Sequence, residues 1–302
     1  MITDIPTAAD FRDTSEELFN LAWDSAASLL TAFEDAKDWL EDANEVKSDY
    51  WLAARRRLAT ALTLAQQGVE FALKSKIAEV SPFLLLADSP SKWPAIKEGN
   101  SVAFASFKSV DAQDLVKLLT TVSSTAVAGE FAKRFEAARK KRNAIAHTVD
   151  KNLGVEALEV VETTLEFYSY LFPDKPWLQV RRYLMETAPD SILDEGQWYL
   201  LSLCVETKVI VDLMSPEQTL KLFAFDKEKP RYFCPDCLVS VNRDAGFDER
   251  LAVTTRESHE CGELFCVVCS EKYLVTVRDC PLEDCDGRLC SSQDGQCLTC
   301  GK

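Results

Sequence analysis

Eight cysteines near the end of the chain are spaced as metal ligands. They form four pairs, which are Cys234 and Cys237, Cys266 and Cys269, Cys280 and Cys285, and Cys297 and Cys300. A pair separated by two residues places two thiolates on one side of a tight turn, and two such turns close a tetrahedral zinc site without an open position. The four pairs therefore predict two zinc ions. Because all-cysteine ligation leaves no bound water to activate, both ions are predicted to be structural.

The order of the pairs along the chain gives the simplest assignment of ligands. The first two pairs would hold one zinc ion and the last two pairs the other, as tandem zinc ribbons. An alternative stays open, because His259, Cys261 or Cys290 could replace an assigned ligand in an interleaved arrangement like that of cross-braced RING modules. The eleventh cysteine, Cys204, lies in an apolar stripe and is predicted to be a small buried side chain.

A second set of residues suited to chemistry is Arg142, Asn143 and His147, at the end of a basic run that begins at Arg139. Histidine exchanges protons near neutral pH, and arginine presents a fixed cationic fork to phosphate oxygens. On an uninterrupted α-helix, five residues turn through about 140° beyond a full circle. If Arg142 and His147 share one cleft, the helix is therefore predicted to break or end between them.

Composition limits where this chemistry could act. The chain has 302 residues and a net charge of -15, so a generalised surface for polyanions is excluded and any nucleic-acid contact would rest on small basic islands. Residues 139–142 and 55–57 are such islands. We find no signal peptide and no apolar run long enough to span a bilayer, and ten of the eleven cysteines fall between Cys234 and Cys300. These features predict a cytoplasmic protein of a reducing compartment, without membrane contact.

Hydrophobic periodicity predicts the elements that must position these residues. Helices are expected at 14–42, 45–80, 111–121, 128–147, 155–171, 177–185 and 196–214, with another beginning at Ser215. Residues 82–110 form an irregular segment, and strand patterns occur at 251–254 and 273–277. A linker near residue 228 divides an all-helical region, 1–228, from a cysteine-rich region, 229–302. The predicted fold class is mainly α, a helical bundle followed by a small β-rich domain of tandem zinc ribbons.

The helical region resembles the HEPN domains (higher eukaryotes and prokaryotes nucleotide-binding). Their signature is an arginine, usually a polar residue, a short spacer and a histidine, on a helix that follows an Ala/Leu-rich helix. The matching residues are Arg142, Asn143 and His147, the Ala/Leu-rich stretch includes 65–76, and the resemblance covers roughly 15–215. It implies a HEPN-like helical bundle and metal-independent RNA cleavage by a homodimer or higher homo-oligomer, with two motifs facing each other.

The resemblance also implies roles for individual residues. RNA supplies its own nucleophile, the 2′-hydroxyl, so His147 would transfer a proton, Arg142 would stabilise the phosphate charge and Asn143 would orient the histidine. No cofactor is implied for catalysis. Glu70 and Lys74 match an acidic and basic pair that some members bring to the site, but an ordinary ion pair on the helix surface is the alternative. Certain toxin members carry a tyrosine two residues after the histidine, the target of a partner antitoxin, whereas this chain has Val149.

Two functions follow as expectations. The first is a ribonuclease that cleaves tRNA or mRNA as a toxin or antiphage defence effector, with an antitoxin or a phage-derived trigger as a further partner. The second is a non-catalytic HEPN scaffold that recruits a protein through its zinc ribbons, because residues 230–302 carry eight Lys and Arg against thirteen Asp and Glu. Nucleotide binding without cleavage lacks a Gly-rich phosphate loop.

Overall fold

A computed structural model describes the chain at residues 1–37, 39–40, 42–94, 101–123, 127–147, 154–193, 198–241, 247–258 and 261–302, with only the backbone described at 146, 147 and 257. The α-helices are α1 (Ala8–Ala36), α2 (Ala43–Ala78), α3 (Ala112–Val122), α4 (Gly129–His147), α5 (Ala157–Leu171), α6 (Trp177–Glu186), α7 (Pro189–Leu193), α8 (Trp198–Leu213), α9 (Pro216–Phe223) and α10 (Pro235–Ser240). The strands are β1 (Ile2–Thr3), β2 (Val102–Ala103), β3 (Arg231–Tyr232), β4 (Ala252–Glu257), β5 (Cys261–Cys266), β6 (Glu271–Val277) and β7 (Leu289–Ser291). The predicted order of a mainly helical region followed by a small sheet is confirmed.

Helix α1 lies earlier in the chain than the predicted 14–42, since it ends at Ala36 and begins at Ala8. Thr7 caps this end, because its Oγ1 accepts a hydrogen bond from the Asp10 N–H at 3.2 Å. The Asp10 carboxylate in turn accepts from the Thr7 N–H at 2.7 Å. This reciprocal cap satisfies two backbone donors that a helix start otherwise leaves open.

One compact unit contains residues 1–26 and 48–171. In it α1 and α2 approach closely at Gly68, where a Cβ would lie 3.0 Å from the Phe19 ring. The Ser15 hydroxyl donates to the Gly68 carbonyl at 2.8 Å, so the close approach also satisfies a buried polar group. Tyr168 of α5 donates to Glu16 of α1 at 2.8 Å in the same core. The absence of a side chain at Gly68 thus allows α1 and α2 to pack closely at this position.

The second compact unit contains residues 27–47 and 172–302. Its sheet has the order β3-β4-β5-β6-β7, and every neighbouring pair is antiparallel. Helices α6 and α8 are joined by a buried ion pair in which Arg181 makes two contacts of 3.1 Å with Glu206. Loss of either side chain would leave the other charge buried and unpaired, which is strongly destabilising. The domain boundary near residue 228 stays a prediction.

Among the described residues, none of the helices combines the length and the hydropathy needed to cross a membrane.

Candidate metal centres and the Arg142 region

The first group of thiols is Cys234, Cys237, Cys266 and Cys269, and all four are buried. Cys234 precedes α10 and Cys237 lies within it, while Cys266 ends β5 and Cys269 lies in the turn to β6. The Sγ–Sγ distances are 3.8 Å for Cys234 and Cys269, 4.0 Å for Cys237 and Cys266, and 3.3 Å for Cys237 and Cys269. A helix start and a hairpin turn therefore bring two cysteine pairs together.

The second group is Cys280, Cys285, Cys297 and Cys300. Cys280 and Cys285 lie between β6 and β7, and the other two follow β7. The Sγ–Sγ distance is 3.8 Å for Cys280 and Cys300 and 3.9 Å for Cys285 and Cys297. In each group the four sulfurs lie within 4.8 Å of one another.

These distances fit a tetrahedral metal site and not disulfide bonds. Four sulfurs placed about 2.3 Å from one zinc ion lie about 3.8 Å from each other, whereas a disulfide joins its sulfurs at about 2.05 Å. Four thiols without nitrogen or oxygen ligands also match the preference of structural zinc. The two groups could therefore bind two zinc ions, one in each group.

The sequential assignment of ligands is the one that the described residues form. Cys261 is exposed and Cys290 is buried, and neither belongs to a group of four. His259 lies outside the described residues. An interleaved arrangement built on Cys261 or Cys290 is therefore wrong for the described part of the chain.

Cys204 of α8 lies beside the first group. The pKa of the Cys237 thiol is raised by hydrogen bonds with Cys204, Cys234, Cys266 and Cys269 and by burial. Cys204 is buried as predicted, but its contact with Cys237 was missed, because nothing in the local sequence of α8 indicates which surface it meets. The only sequence feature that could have indicated this position is that Cys204 is a cysteine outside the four spaced pairs.

Backbone amides support the second group. The Gly287 N–H donates to the Cys285 sulfur at 3.4 Å. The backbone of Leu282 forms a hydrogen bond with the Cys280 thiol. The backbone of Cys300 and of Thr299 forms hydrogen bonds with the Cys297 thiol. Gly287 is required by close packing, since a Cβ at this position would lie 2.7 Å from the Cys297 sulfur. Turns of the local chain therefore build most of this site.

The Arg142 guanidinium contacts a carboxylate of α2. Its Nη2 donates to Glu70 Oε1 at 2.8 Å, and the side chains are 23% and 16% exposed. Glu70 therefore pairs with Arg142, while the Lys74 ammonium lies 4.9 Å from the centre of the Phe71 ring. This contact joins the predicted motif to the Ala/Leu-rich helix that precedes it.

The rest of α4 is also strongly basic. The helix carries six Lys and Arg against two Glu, a surplus of four positive charges in a chain of net charge -15. Lys141 contacts Glu159 of α5 at 2.6 Å, and Arg134 contacts Glu166 of the same helix. These four side chains line a cleft of about 230 Å³.

Some buried polar atoms of Gln66 and Arg142, among the described residues, have no hydrogen-bond partner. Gln66, one turn before Glu70 on α2, is fully buried. Within the described part of the chain, neither of its amide atoms has a hydrogen-bond partner, and the same holds for the buried Nε of Arg142. Buried polar groups are usually satisfied, so an unpaired amide and guanidinium nitrogen require an explanation such as a bound polar group.

The predicted break between Arg142 and His147 is wrong. Helix α4 continues from Gly129 to His147. The intervening residues are Asn, Ala, Ile and Ala, which include neither glycine nor proline, and alanine is the strongest helix former. Positions 142 and 147 are therefore about 140° apart around one helix axis. The side chain of His147 lies outside the described residues, and Asn143 is half-buried.

Fold and sites together define a mainly helical protein with a small antiparallel sheet that carries two groups of four cysteines. Comparison of the chain with protein families, with curated proteins and with solved structures gives no match. The resemblance to HEPN domains thus depends on the Arg142 motif and the helical pattern around it.

Proposed function

We propose that the chain is a metal-independent endoribonuclease of the HEPN type, acting through Arg142, Asn143 and His147. The observation that carries the proposal is the contact between Arg142 and Glu70, with unused hydrogen-bonding atoms beside it. A carboxylate that fixes one side of a guanidinium leaves the planar fork oriented for a phosphate oxygen on another side. Electrostatic stabilisation by such a positioned cation is the main contribution expected of a protein that cleaves RNA through its own 2′-hydroxyl.

The continuous α4 favours a site made by two chains. Positions 142 and 147 are about 140° apart on one helix, so a single copy does not readily present both to one phosphate. In a homodimer, the arginine of one copy and the histidine of the other would face each other. Two copies of α4 would also double its surplus of four positive charges, which the chain as a whole lacks.

In this mechanism the 2′-hydroxyl attacks the neighbouring phosphorus and displaces the 5′-oxygen of the next nucleotide. His147 removes or supplies the proton, and Arg142 stabilises the negative charge on the phosphate oxygens. The products are a 2′,3′-cyclic phosphate and a free 5′-hydroxyl. The proposed substrates are tRNA or mRNA, and the proposed setting is a toxin or antiphage effector controlled by an antitoxin or a phage-derived trigger. The two zinc ions would be structural.

The test compares the cleavage of cellular RNA and of an end-labelled oligonucleotide by the wild type, Arg142→Ala and His147→Ala. We expect each substitution to slow cleavage by about 100-fold or more, in line with the loss of one transition-state donor or one proton-transfer group. EDTA is added to exclude metal-assisted cleavage, and metal analysis must show that the zinc is retained. A 2′-deoxy nucleotide at the cut site should abolish cleavage.

Lys133→Ala is the matched control, because it removes one positive charge from an exposed position of the same helix. It should leave cleavage within about threefold of the wild type, as expected of a surface charge outside the site. The proposal is overturned if the purified dimer leaves RNA intact, or if Arg142→Ala, His147→Ala and Lys133→Ala have equal effects.

One observation favours the alternative, a non-catalytic scaffold. The cations Arg134, Lys141 and Arg142 of α4 each contact a carboxylate of α2 or α5, as expected of residues that hold helices together. In a scaffold the Arg142→Ala and His147→Ala variants would keep all activity in cells. Arg142→Ala would instead lower thermal stability, because Glu70 would lose its partner.

A further inference from the structure

The middle of α2 carries positive charge and no negative charge. Residues 50–69 include three arginines, at 55–57, and neither Asp nor Glu. In the whole chain 49 of 302 residues are acidic, which is about one in six. This part of α2 therefore differs in charge from the rest of a protein whose net charge is -15.

Polar side chains form a single stripe along this part of the helix. From Arg56, steps of four, three and four residues lead to Thr60, Thr63 and Gln67, and a further step of three leads to Glu70. Steps of three and four residues return to the same face of an α-helix. Three of these positions, 56, 60 and 67, are exposed, and position 63 is half-buried. We call Arg56, Thr60, Thr63 and Gln67 the α2 stripe.

The two threonines of the α2 stripe add neither charge nor a projecting side chain. The Thr60 hydroxyl donates to the Arg56 carbonyl at 3.1 Å, and the Thr63 hydroxyl donates to the Ala59 carbonyl at 2.9 Å. Both hydroxyls thus lie against their own helix and can still accept a hydrogen bond. A ligand could therefore approach the helix closely between Arg56 and Gln67.

The α2 stripe leads to the Arg142–Glu70 pair. Glu70 contacts the Arg142 guanidinium at 2.8 Å, so the first carboxylate beyond the stripe is already neutralised. Fourteen residues separate Arg56 from Glu70 in sequence. They correspond to about 21 Å along the helix axis. A stacked RNA strand, at about 3.4 Å for each nucleotide, would cover this distance with about six nucleotides, and an extended strand with fewer.

We propose that the α2 stripe binds the backbone of single-stranded RNA on its way to the proposed cleavage site, with Arg56 contacting a phosphate. The inference deepens the proposed function and rests on it for the position of the cleaved phosphate, at Arg142. A local excess of arginine is what attracts a polyanion. Arg56 lies about 40° from Glu70 around the helix axis, whereas Arg57 lies about 140° from it. Arg56 is therefore the arginine that faces the same side as the Arg142–Glu70 pair.

The test measures binding of the full zinc-loaded chain to fluorescent 2′-O-methyl RNA, by anisotropy. These oligonucleotides resist cleavage because the attacking 2′-oxygen is methylated. We expect Arg56→Glu to weaken binding of a 16-nucleotide strand by about tenfold or more, since a like charge then faces the phosphates. The wild type should prefer 16 nucleotides over four, and Arg56→Glu should reduce this preference. In Arg56→Ala, the dependence of log affinity on log salt should lose about 0.7 of its slope, the value of one single-strand phosphate contact.

Three further variants separate a phosphate contact from general charge and from damage to the fold. Arg57→Glu is the matched control, because it makes the same change at an exposed position on another side of the helix. It should leave affinity within about threefold of the wild type at 0.15 M salt, where charges are screened beyond about 8 Å. Arg56→Lys keeps the charge and should retain most of the affinity. Gln67→Lys adds a charge to the α2 stripe and should strengthen binding by about threefold, a gain that a damaged protein would not give.

The outcomes distinguish this inference from the cleavage proposal. Binding that depends on Arg56 and not on Arg57, in a protein that cuts no RNA, would leave the α2 stripe as an RNA site and reject cleavage alone. If Arg142→Ala slows cleavage while Arg56→Glu and Arg57→Glu have equal effects on binding, the α2 stripe is overturned and cleavage is unaffected. An affinity that is unchanged in Arg56→Glu, as expected if this face bound an acidic protein instead, would also overturn the inference.

Discussion

The two groups of cysteines differ in burial although both offer four thiols to a metal. All four cysteines of the first group are buried, whereas three of the four in the second group are half-exposed. The Gln179 side chain of α6 donates to the Cys269 carbonyl of the first group, and backbone amides of its own turns support the second. The same ligand chemistry therefore serves two purposes, because the first group joins elements distant in sequence and the second brings together the local turns of residues 280–300.

We expect the largest difference in stability between the two groups when Cys237→Ser is compared with Cys285→Ser. Each variant should lose one of the two zinc ions, as measured by metal analysis. Cys237→Ser should destabilise its unit by more than about 4 kcal/mol, the range typical of a lost structural metal in a core. Cys285→Ser should have a clearly smaller effect on the thermal denaturation of the helices, because its group contacts mainly local turns.

Circular dichroism and limited proteolysis would distinguish the two outcomes. Cleavage within residues 177–213 should increase in Cys237→Ser and remain as in the wild type in Cys285→Ser. Equal losses of helix content in the two variants would show that the two groups stabilise the fold equally, contrary to this prediction.

The sequence predicted the two groups of four cysteines well because a cysteine pair in a tight turn is a local feature. The partition into two groups followed from chain order, which the short connections of an antiparallel sheet preserve. The different burial of the groups could not be predicted in this way. It depends on contacts such as that between Gln179 and Cys269, and the hydrophobic pattern of α6 does not say which surface that helix covers.

In the Arg142 region, too, contacts between residues distant in sequence could not be predicted from the local pattern. The basic run and the helical pattern were visible in sequence, and the resemblance to HEPN domains implied that Glu70 could join the site. Its direct pairing with Arg142 could not be predicted from the residues, since the two are 72 residues apart. The helix break was predicted on the assumption that Arg142 and His147 share one cleft, and no glycine or proline lies between them to end the helix. The local residues favoured a continuous helix, and α4 follows them to His147.

A smaller and more local effect is expected from Gly287→Ala. The added Cβ would lie 2.7 Å from the Cys297 sulfur and from the Thr299 side chain, so the second group must shift. We expect faster zinc release from this group alone and a destabilisation of about 1–3 kcal/mol, as for an overpacked site. Zinc release from the first group, followed with a chromogenic chelator in the same experiment, should not change. Faster release from both groups would show that the groups are coupled rather than separate.

The smallest effect is expected from Cys261→Ser, which tests the interleaved alternative directly. Cys261 is exposed and contacts the Ser258 hydroxyl at 3.3 Å, and it belongs to neither group. A serine keeps this hydrogen bond, so stability should change by less than about 0.5 kcal/mol, as for an ordinary surface substitution. Metal analysis should still find both zinc ions, and the spectrum of the cobalt-substituted protein should remain that of tetrahedral sulfur ligation. Loss of one ion would show that Cys261 is a ligand after all, and would remove the basis for treating the two groups as independent sites.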